Sequence, residues 1–345
     1  MKKMVQKVGI PTLAVTAMLI VVLITAAVQG QSLQTLFSDI LNRTGMNGLL
    51  VLAMVPAIKS GTGPNFALPI GIEGGLFALV CCMQLDLSGW TLIGASCALA
   101  IVLCTLMGWL YGKLMNAVKG AEMTIATYTG FSIVAFFNIL WLMLPFSNRK
   151  MGWMLGSGLR ETIQLDSFSA DGLISKLFSF QIGEIIVPTG MLLVLALGCL
   201  LVATFFRTKP GLAIYAGGVN PRFAEAAGLN IDRSRIIANI FSTVLAGIGI
   251  IIYAQGYGYA QLYNGPLNMA FPAVAAVLIG GATAAKANCM NVVLGVFVFQ
   301  GLMTAAMPVA NQLFTGTDLS DIMRQIIQNG VILYALTQVK KGGDR

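Results

Sequence analysis

Residues 217–231, GGVNPRFAEAAGLNI, form a polar, charged island between two long apolar runs. Asn220 is a good N-cap, Pro221 suits the first helical position, and Gly228 suits the residue just past a helix end. Between them 222–227 allow about two helical turns. A helix that short is marginal in water on its own, so it must pack against something. Arg207, Lys209, Arg233 and Arg235 flank it and read as the cytoplasmic face of a membrane protein. The expectation is a short docking helix that a soluble partner grips, the alternative being an ordinary inter-helix loop with one helical turn.

Composition supports the membrane reading. The 345 residues are 57% hydrophobic and only 10% charged, with mean hydropathy +0.83, whereas soluble domains carry about 25% charged residues. The net charge of +8 does not point to nucleic acid, because the basic residues are scattered at the ends of apolar runs rather than gathered in a patch. Cys81, Cys82, Cys97, Cys104, Cys199 and Cys289 all lie inside apolar stretches without metal spacing, so they read as small buried groups. Histidine is absent, which removes the commonest general base and metal ligand.

In chain order, Lys2, Lys3 and Lys7 precede an apolar run at 8–28, read as a retained first span with its N-terminus inside. Residues 31–43 place Leu33, Leu36, Phe37, Ile40 and Leu41 on one helical face, an amphipathic helix lying at the outer interface or leading into the second span. Further spans are expected at 45–58, 66–85, 90–112, 123–145, 187–206, 236–256, 269–284, 290–310 and 322–338. This predicts an all-α polytopic bundle of about ten spans with both termini cytoplasmic. Of the 21 basic residues only Arg43, Arg149, Lys150, Arg160, Lys176 and Arg324 then fall outside, in keeping with positive-inside topology. Four of those six sit in the longest polar segment, 146–186, either a solvated connector or a surface for an extracellular partner.

Two stretches echo each other. Residues 63–69, GPNFALP, and 265–272, GPLNMAFP, each open a short apolar segment broken by Pro and Gly. Paired interrupted segments point to two repeated halves with broken helices and a transport site near the midplane. The single domain then divides into 1–44, a first repeat at 45–145, the external loop 146–186, and a second repeat at 187–338 that contains the coupling loop 207–235. Glu73 is the acid set deepest in an apolar run; it either takes part in function or caps amides of a half-helix. For a neutral polar solute Asn65, Phe66, Tyr128, Asn268 and Phe271 are pathway candidates, and Asn138, Gln300, Phe131 and Trp141 also suit one. The Gly71/Gly75 and Gly108/Gly112 spacings allow close helix approach.

Three runs carry a resemblance. Gly218, Asn220, Pro221, Ala224, Ala227, Gly228 and Leu229 resemble the coupling loop of permease subunits of ABC importers, in the simple-sugar and nucleoside (ribose-type, branched-chain amino acid-related) branch. Residues 70–74, IGIEG, resemble the Ile-Gly-Val-Glu-Gly motif of nucleoside-type permeases, with Pro69 where Asn is common, which leaves the substrate class open. Residues 273–283, AVAAVLIGGAT, resemble the AAVxxGG signature of the same family. The likeness covers most of 45–338 and little of 146–186.

The resemblance implies a multi-pass permease of the bacterial cytoplasmic membrane that moves a simple sugar or nucleoside inward by alternating access. It assigns Gly218, Asn220, Pro221, Arg222, Phe223, Ala224, Glu225, Ala227 and Gly228 to ATPase coupling. The implied partners are a cytoplasmic ABC ATPase, a second permease subunit, an extracellular solute-binding protein and membrane lipid. With no P-loop motif in the chain, ATP and Mg would bind the ATPase subunit, so no cofactor, metal or catalytic residue is expected here. An ion- or proton-coupled secondary transporter and a branched-chain amino acid ABC permease are the alternatives, and an intramembrane enzyme is disfavoured by the lack of histidine or an embedded acid pair.

Overall fold

The computed structural model describes residues 10–146, 148–152, 158–283 and 286–313, with positions 326, 329, 330 and 333. Lys2, Lys3, Lys7 and nearly all of the expected span at 322–338 lie outside them. The described chain is mostly helical. Its helices are α1 (Ile10–Val28), α2 (Leu33–Leu52), α3 (Met54–Lys59), α4 (Leu68–Gln84), α5 (Gly89–Ala117) and α6 (Glu122–Met143), then α7 (Leu173–Lys176), α8 (Thr189–Phe205), α9 (Lys209–Val219), α10 (Pro221–Ala226), α11 (Ile231–Tyr257), α12 (Gly265–Ile279) and α13 (Cys289–Leu313).

The amphipathic stretch and the second apolar run are one helix, α2, started by the Ser32 side chain accepting from the Thr35 amide. It ends at Leu52 because Pro56 has no amide to donate back to that carbonyl and its ring crowds it. Among the described residues four helices, α5, α6, α11 and α13, are long and apolar enough to cross a membrane, and α8 with α9, bent by 79°, makes a fifth candidate. α4 and α12 have 17 and 15 residues, about 25 and 22 Å, short of a bilayer core of about 30 Å. Each has Pro in its first turn and follows a non-helical break. The break before α4 is largely buried, which is where irregular backbone is tolerated inside a membrane protein.

α11 is the axis of the bundle. It packs against α2, α3, α4, α5 and α9. A Cβ on Gly75 would stand 2.3 Å from the Gly247 carbonyl oxygen, and one on Gly71 2.5 Å from the Thr243 carbonyl oxygen. Cβ atoms on Gly108 and Gly112 would come within 2.8 and 2.9 Å of the Ile240 and Ile236 Cα atoms. Only hydrogen in place of a side chain permits these approaches, and the dispersion gained along the backbones holds helices that hydrophobic burial cannot drive together in lipid.

The segment after α6 departs from the all-α expectation. β1 (Thr162–Gln164) pairs antiparallel with β4 (Tyr259–Gln261), Ile163 opposite Ala260, and β2 (Phe180–Ile182) pairs with β3 (Ile185–Val187). Met151, Leu159, Ile163, Leu165 and Phe168 are buried there. The cap is tied to the end of α11: Gly172 donates to the Gln255 carbonyl at 2.8 Å, and the Ile174 amide to the Gln255 side chain at 3.1 Å. Strand pairing satisfies backbone that a loop would leave to water.

Gly75→Val should lower the thermal unfolding midpoint of the detergent-purified chain by the several degrees that overpacking of roughly 1–3 kcal/mol implies. Gly94→Val, where a Cβ meets nothing within 4 Å, should leave the midpoint nearly unchanged in the same melt.

Candidate functional site

The 217–231 island folds as its caps dictate. The Asn220 side chain accepts from the Phe223 amide at 3.1 Å, and Pro221 opens α10. Gly228 takes φ +79°, a region a side chain would strain. The Gly228 and Leu229 amides donate to the Glu225 and Ala224 carbonyls at 2.9 and 3.0 Å, closing the helix with paired C-terminal bonds. Within α10 only Ala224 is buried, while Arg222, Phe223 and Glu225 stand exposed, Phe223 at 68%. A rigid two-turn helix holding one aromatic ring between opposite charges has the ingredients of an interface anchor.

Around α10 the contacts are tight. A Cβ on Gly218 would stand 2.1 Å from the Lys59 carbonyl oxygen, so the end of α9 rests on the break that follows α3. The Lys59 ammonium lies 4.2 Å over the Phe206 ring and 5.9 Å from that of Tyr215. Burial lowers its pKa, with the nearby Cys289 acting weakly in the opposite sense. At the start of α11, Asn116 donates to the Asp232 carbonyl at 2.8 Å and Lys119 pairs with Asp232 at 2.6 Å. Arg235 meets Glu122 at 2.5 Å, largely sheltered from solvent. Lys59, Lys119, Arg222 and Arg235 thus share one end of the bundle. Lys150, which pairs with Asp86 at 3.1 Å, and Arg160 and Lys176 belong to the capped end.

The break before α4 is bound to the bundle through Asn65, which is buried. Its amide donates to Ser242 Oγ at 3.0 Å, and Ser242 donates to the Ala53 carbonyl at 2.6 Å. Its carbonyl oxygen accepts from the Ala67 amide at 3.0 Å and Tyr111 OH at 3.2 Å. Asn65 thus spends one amide hydrogen and its carbonyl oxygen on bonds inside the protein. Phe66 reaches the second broken segment, its ring centroid 6.3 Å from that of Phe271, which lies 5.9 Å from that of Phe131. Tyr128 and Phe131 stand exposed on α6 beside this cluster. Asn268 lies elsewhere, on the wall of a cleft between α2, α11, α12 and α13.

Glu73 is fully buried, and among the described residues neither carboxylate oxygen has a hydrogen-bond partner. The Trp141 indole is the polar group that approaches it, without reaching hydrogen-bond geometry. Glu73 is the sixth residue of α4, and with neither carboxylate oxygen bonded among the described residues it caps no free amide at the half-helix start. The 273–283 run serves packing. A Cβ on Gly280 would stand 1.8 Å from the Asn291 carbonyl oxygen, and Asn291 donates to the Gly280 carbonyl at 2.8 Å. Among the described residues no group of acids and thiols could hold a metal ion.

The sequence profile of the family described as "Branched-chain amino acid transport system / permease component" matches residues 4–336. The chain belongs to this family. Its members are transport components rather than enzymes. The chain is 25% identical over 224 residues to the nucleoside ABC transporter permease protein NupB of Lactococcus lactis, covering 62% of this chain and 58% of that one. It is 26% identical over 269 residues to the galactofuranose transporter permease protein YtfT of Escherichia coli, covering 77% and 70%. It is 27% identical over 260 residues to the autoinducer 2 import system permease protein LsrC of Yersinia pseudotuberculosis, covering 72% and 64%. The chain thus spans under two thirds of the length of NupB and of LsrC. For a branched-chain-type permease with such relatives, the simple-sugar and nucleoside resemblance holds, and the apolar helices agree with a multi-pass protein of the bacterial inner membrane.

The sequence did not single out Ser242, Tyr111 or Gln255, the permease's internal polar links. A hydroxyl and an amide inside the apolar run of α11 are the signal that was there to read. Ser242→Ala would leave the Asn65 amide and the Ala53 carbonyl without their partner. It should cost roughly 1–3 kcal/mol, seen as a lower unfolding midpoint. Ser96→Ala removes a buried hydroxyl that has no partner among the described residues and should leave the midpoint unchanged or raise it.

Proposed function

We propose that this permease is the membrane subunit of an ATP-driven importer for a small polar solute, a simple sugar or a nucleoside. The observation that carries this reading is α10: a capped helix, exposed on all but Ala224, at the basic end of the bundle. In this reading that end is cytoplasmic, as are both termini, and α10 seats in a groove of a cytoplasmic ATPase that holds ATP and Mg. Asn220, Pro221, Gly218, Ala227 and Gly228 shape the helix and its approach. Arg222, Phe223 and Glu225 make the contact, and Ala224 anchors it.

The path from α10 inward supports a coupling role. α9 rests on the break after α3, and that break is held to α11 and α5 by Asn65. Movement of α10 would reach the two broken segments that meet at Phe66 and Phe271, and alternate their exposure to the two sides. A second permease subunit would cover the open aromatic face of Tyr128 and Phe131. An extracellular solute-binding protein would deliver solute at the capped end. Full crossing by about ten spans in two repeated halves belongs to this reading, and the names of the nucleoside and galactofuranose relatives supply its solute class.

Purified alone, the chain should hydrolyse no ATP. With its cognate ATPase it should form a stable complex and give vanadate-sensitive uptake in proteoliposomes. Phe223→Ala should reduce co-purification of the ATPase at least tenfold with an unchanged unfolding midpoint, since Phe223 is exposed. Undiminished complex formation would remove α10 from the docking role. The ion-coupled alternative rests on the unpartnered Glu73; uptake by the isolated chain that a protonophore abolishes would establish it instead.

A further inference from the structure

We propose that the hairpin of β2 and β3 is a lipid anchor, its apolar face set against the phospholipid leaflet at the capped end of the bundle. This goes beyond the transport reading and does not depend on it. The strands pair Phe180 with Val187, Gln181 with Ile186 and Ile182 with Ile185. Directly opposed residues share a face and successive ones alternate, so Phe180, Ile182, Ile185 and Val187 make one wholly apolar face. On it Phe180 is 49% and Ile182 63% exposed. A two-stranded hairpin with its apolar face open to water is marginally stable at best, so something covers this one.

Its position names the cover. The hairpin is pinned to the start of α2: the Ile186 amide donates to Ser38 Oγ at 2.9 Å, and Ser32 donates to the Glu184 carboxylate at 3.4 Å. β3 passes through Pro188 straight into α8. That helix is apolar throughout and leaves Leu193, Leu197 and Leu200 exposed, as a helix facing lipid does. Its 17 residues span about 25 Å, short of a bilayer core of about 30 Å. The difference cannot be made up at its far end, where the chain bends by 79° into α9 and Arg207 marks the interface. It falls instead at β3, whose three residues add roughly 10 Å. The hairpin thus sits at the boundary between acyl chains and headgroups, where its apolar side chains meet lipid and its outer edge can still reach water.

Other occupants fit less well. The apolar face carries no charge, and the acid at the turn, Glu184, is bonded to Ser32, so a water-soluble partner would find no charge to complement there. Two strands of three residues each also fall well short of the roughly 800 Å² per partner that a stable protein interface needs, so a second copy would not be held by this face alone. A leaflet requires neither.

The test is photo-crosslinking from p-benzoyl-L-phenylalanine, placed singly at Phe180, Gln181, Ile182 and Leu197 of the full-length chain in nanodiscs of phosphatidylcholine and phosphatidylglycerol. After irradiation, intact mass spectrometry reads the adducts. At Phe180 and Ile182 the chain should gain the mass of one phospholipid, in a yield within about threefold of that at Leu197 on the exposed face of α8. At Gln181, on the opposite face of the hairpin, the yield should be about fivefold lower. Unfolding midpoints matching that of the unsubstituted chain establish that each variant is folded; should the change at Phe180 disturb folding, Gln181 and Ile182 carry the same comparison. A lipid adduct at Leu197 with none at Phe180 or Ile182 would overturn the anchor. So would equal yields on the two faces, or adducts of twice the chain's mass, which would mean that a second copy covers the hairpin.

Discussion

The closest approach between α4 and α11 sets the geometry on which the rest depends. Gly75 and Gly71 lie against the Gly247 and Thr243 carbonyls with no room for a methyl group, and Gly108 and Gly112 do the same for α5 against the Ile240 and Ile236 backbone. In lipid, apolar side chains gain little by leaving one greasy surface for another, so backbone proximity is what distinguishes one packing from its competitors. Three helices locked in this way give the bundle a rigid axis. The shorter pieces, α3, α4 and α12, can then be too brief to cross a bilayer and still be held in register.

Rigidity at the axis makes the broken segments meaningful. The residues before α4 forgo helical hydrogen bonds, and Asn65 replaces them with bonds to Ala67, Tyr111 and Ser242. The same break is touched from below by Gly218, at the end of the helix that leads into α10. One irregular segment therefore contacts both the surface where a motor would act and the aromatic meeting point of Phe66 and Phe271. A break held by satisfied polar bonds rather than left as loose chain keeps a defined position.

The two ends of the bundle differ in kind. One carries basic residues around a short exposed helix. The other is closed by a small folded cap whose strand pairs with the chain leaving α11. Gln255, buried at the last turns of α11, is the joint. Because the cap, Tyr253 and Tyr257 all sit at that end, the cleft and the cap share a frame, and a partner that touched the cap would stand close to the cleft mouth.

Much of this was legible in the residues. The caps of α10 were readable from Asn220, Pro221 and Gly228 because capping is a local matter of side-chain reach and allowed φ. Membrane character followed from bulk composition, and the small-residue spacings on α4 and α5 marked the packing faces. Other features depend on pairs far apart in the chain: Asn65 with Ser242, Ile163 with Ala260, Gln255 with Ile174. Local pattern is silent about such partners, which is why residues 146–186 read as a loop and the bonds of Asn65 went unseen. By itself, then, the sequence determined the solvent this chain lives in, the start and stop of its short exposed helix, and which helix faces could approach closely. Only the tertiary structure decided which polar groups are spent on internal bonds and which, like Asp39, make no ion pair among the described residues, because a bond between distant segments exists only once packing has brought both ends together.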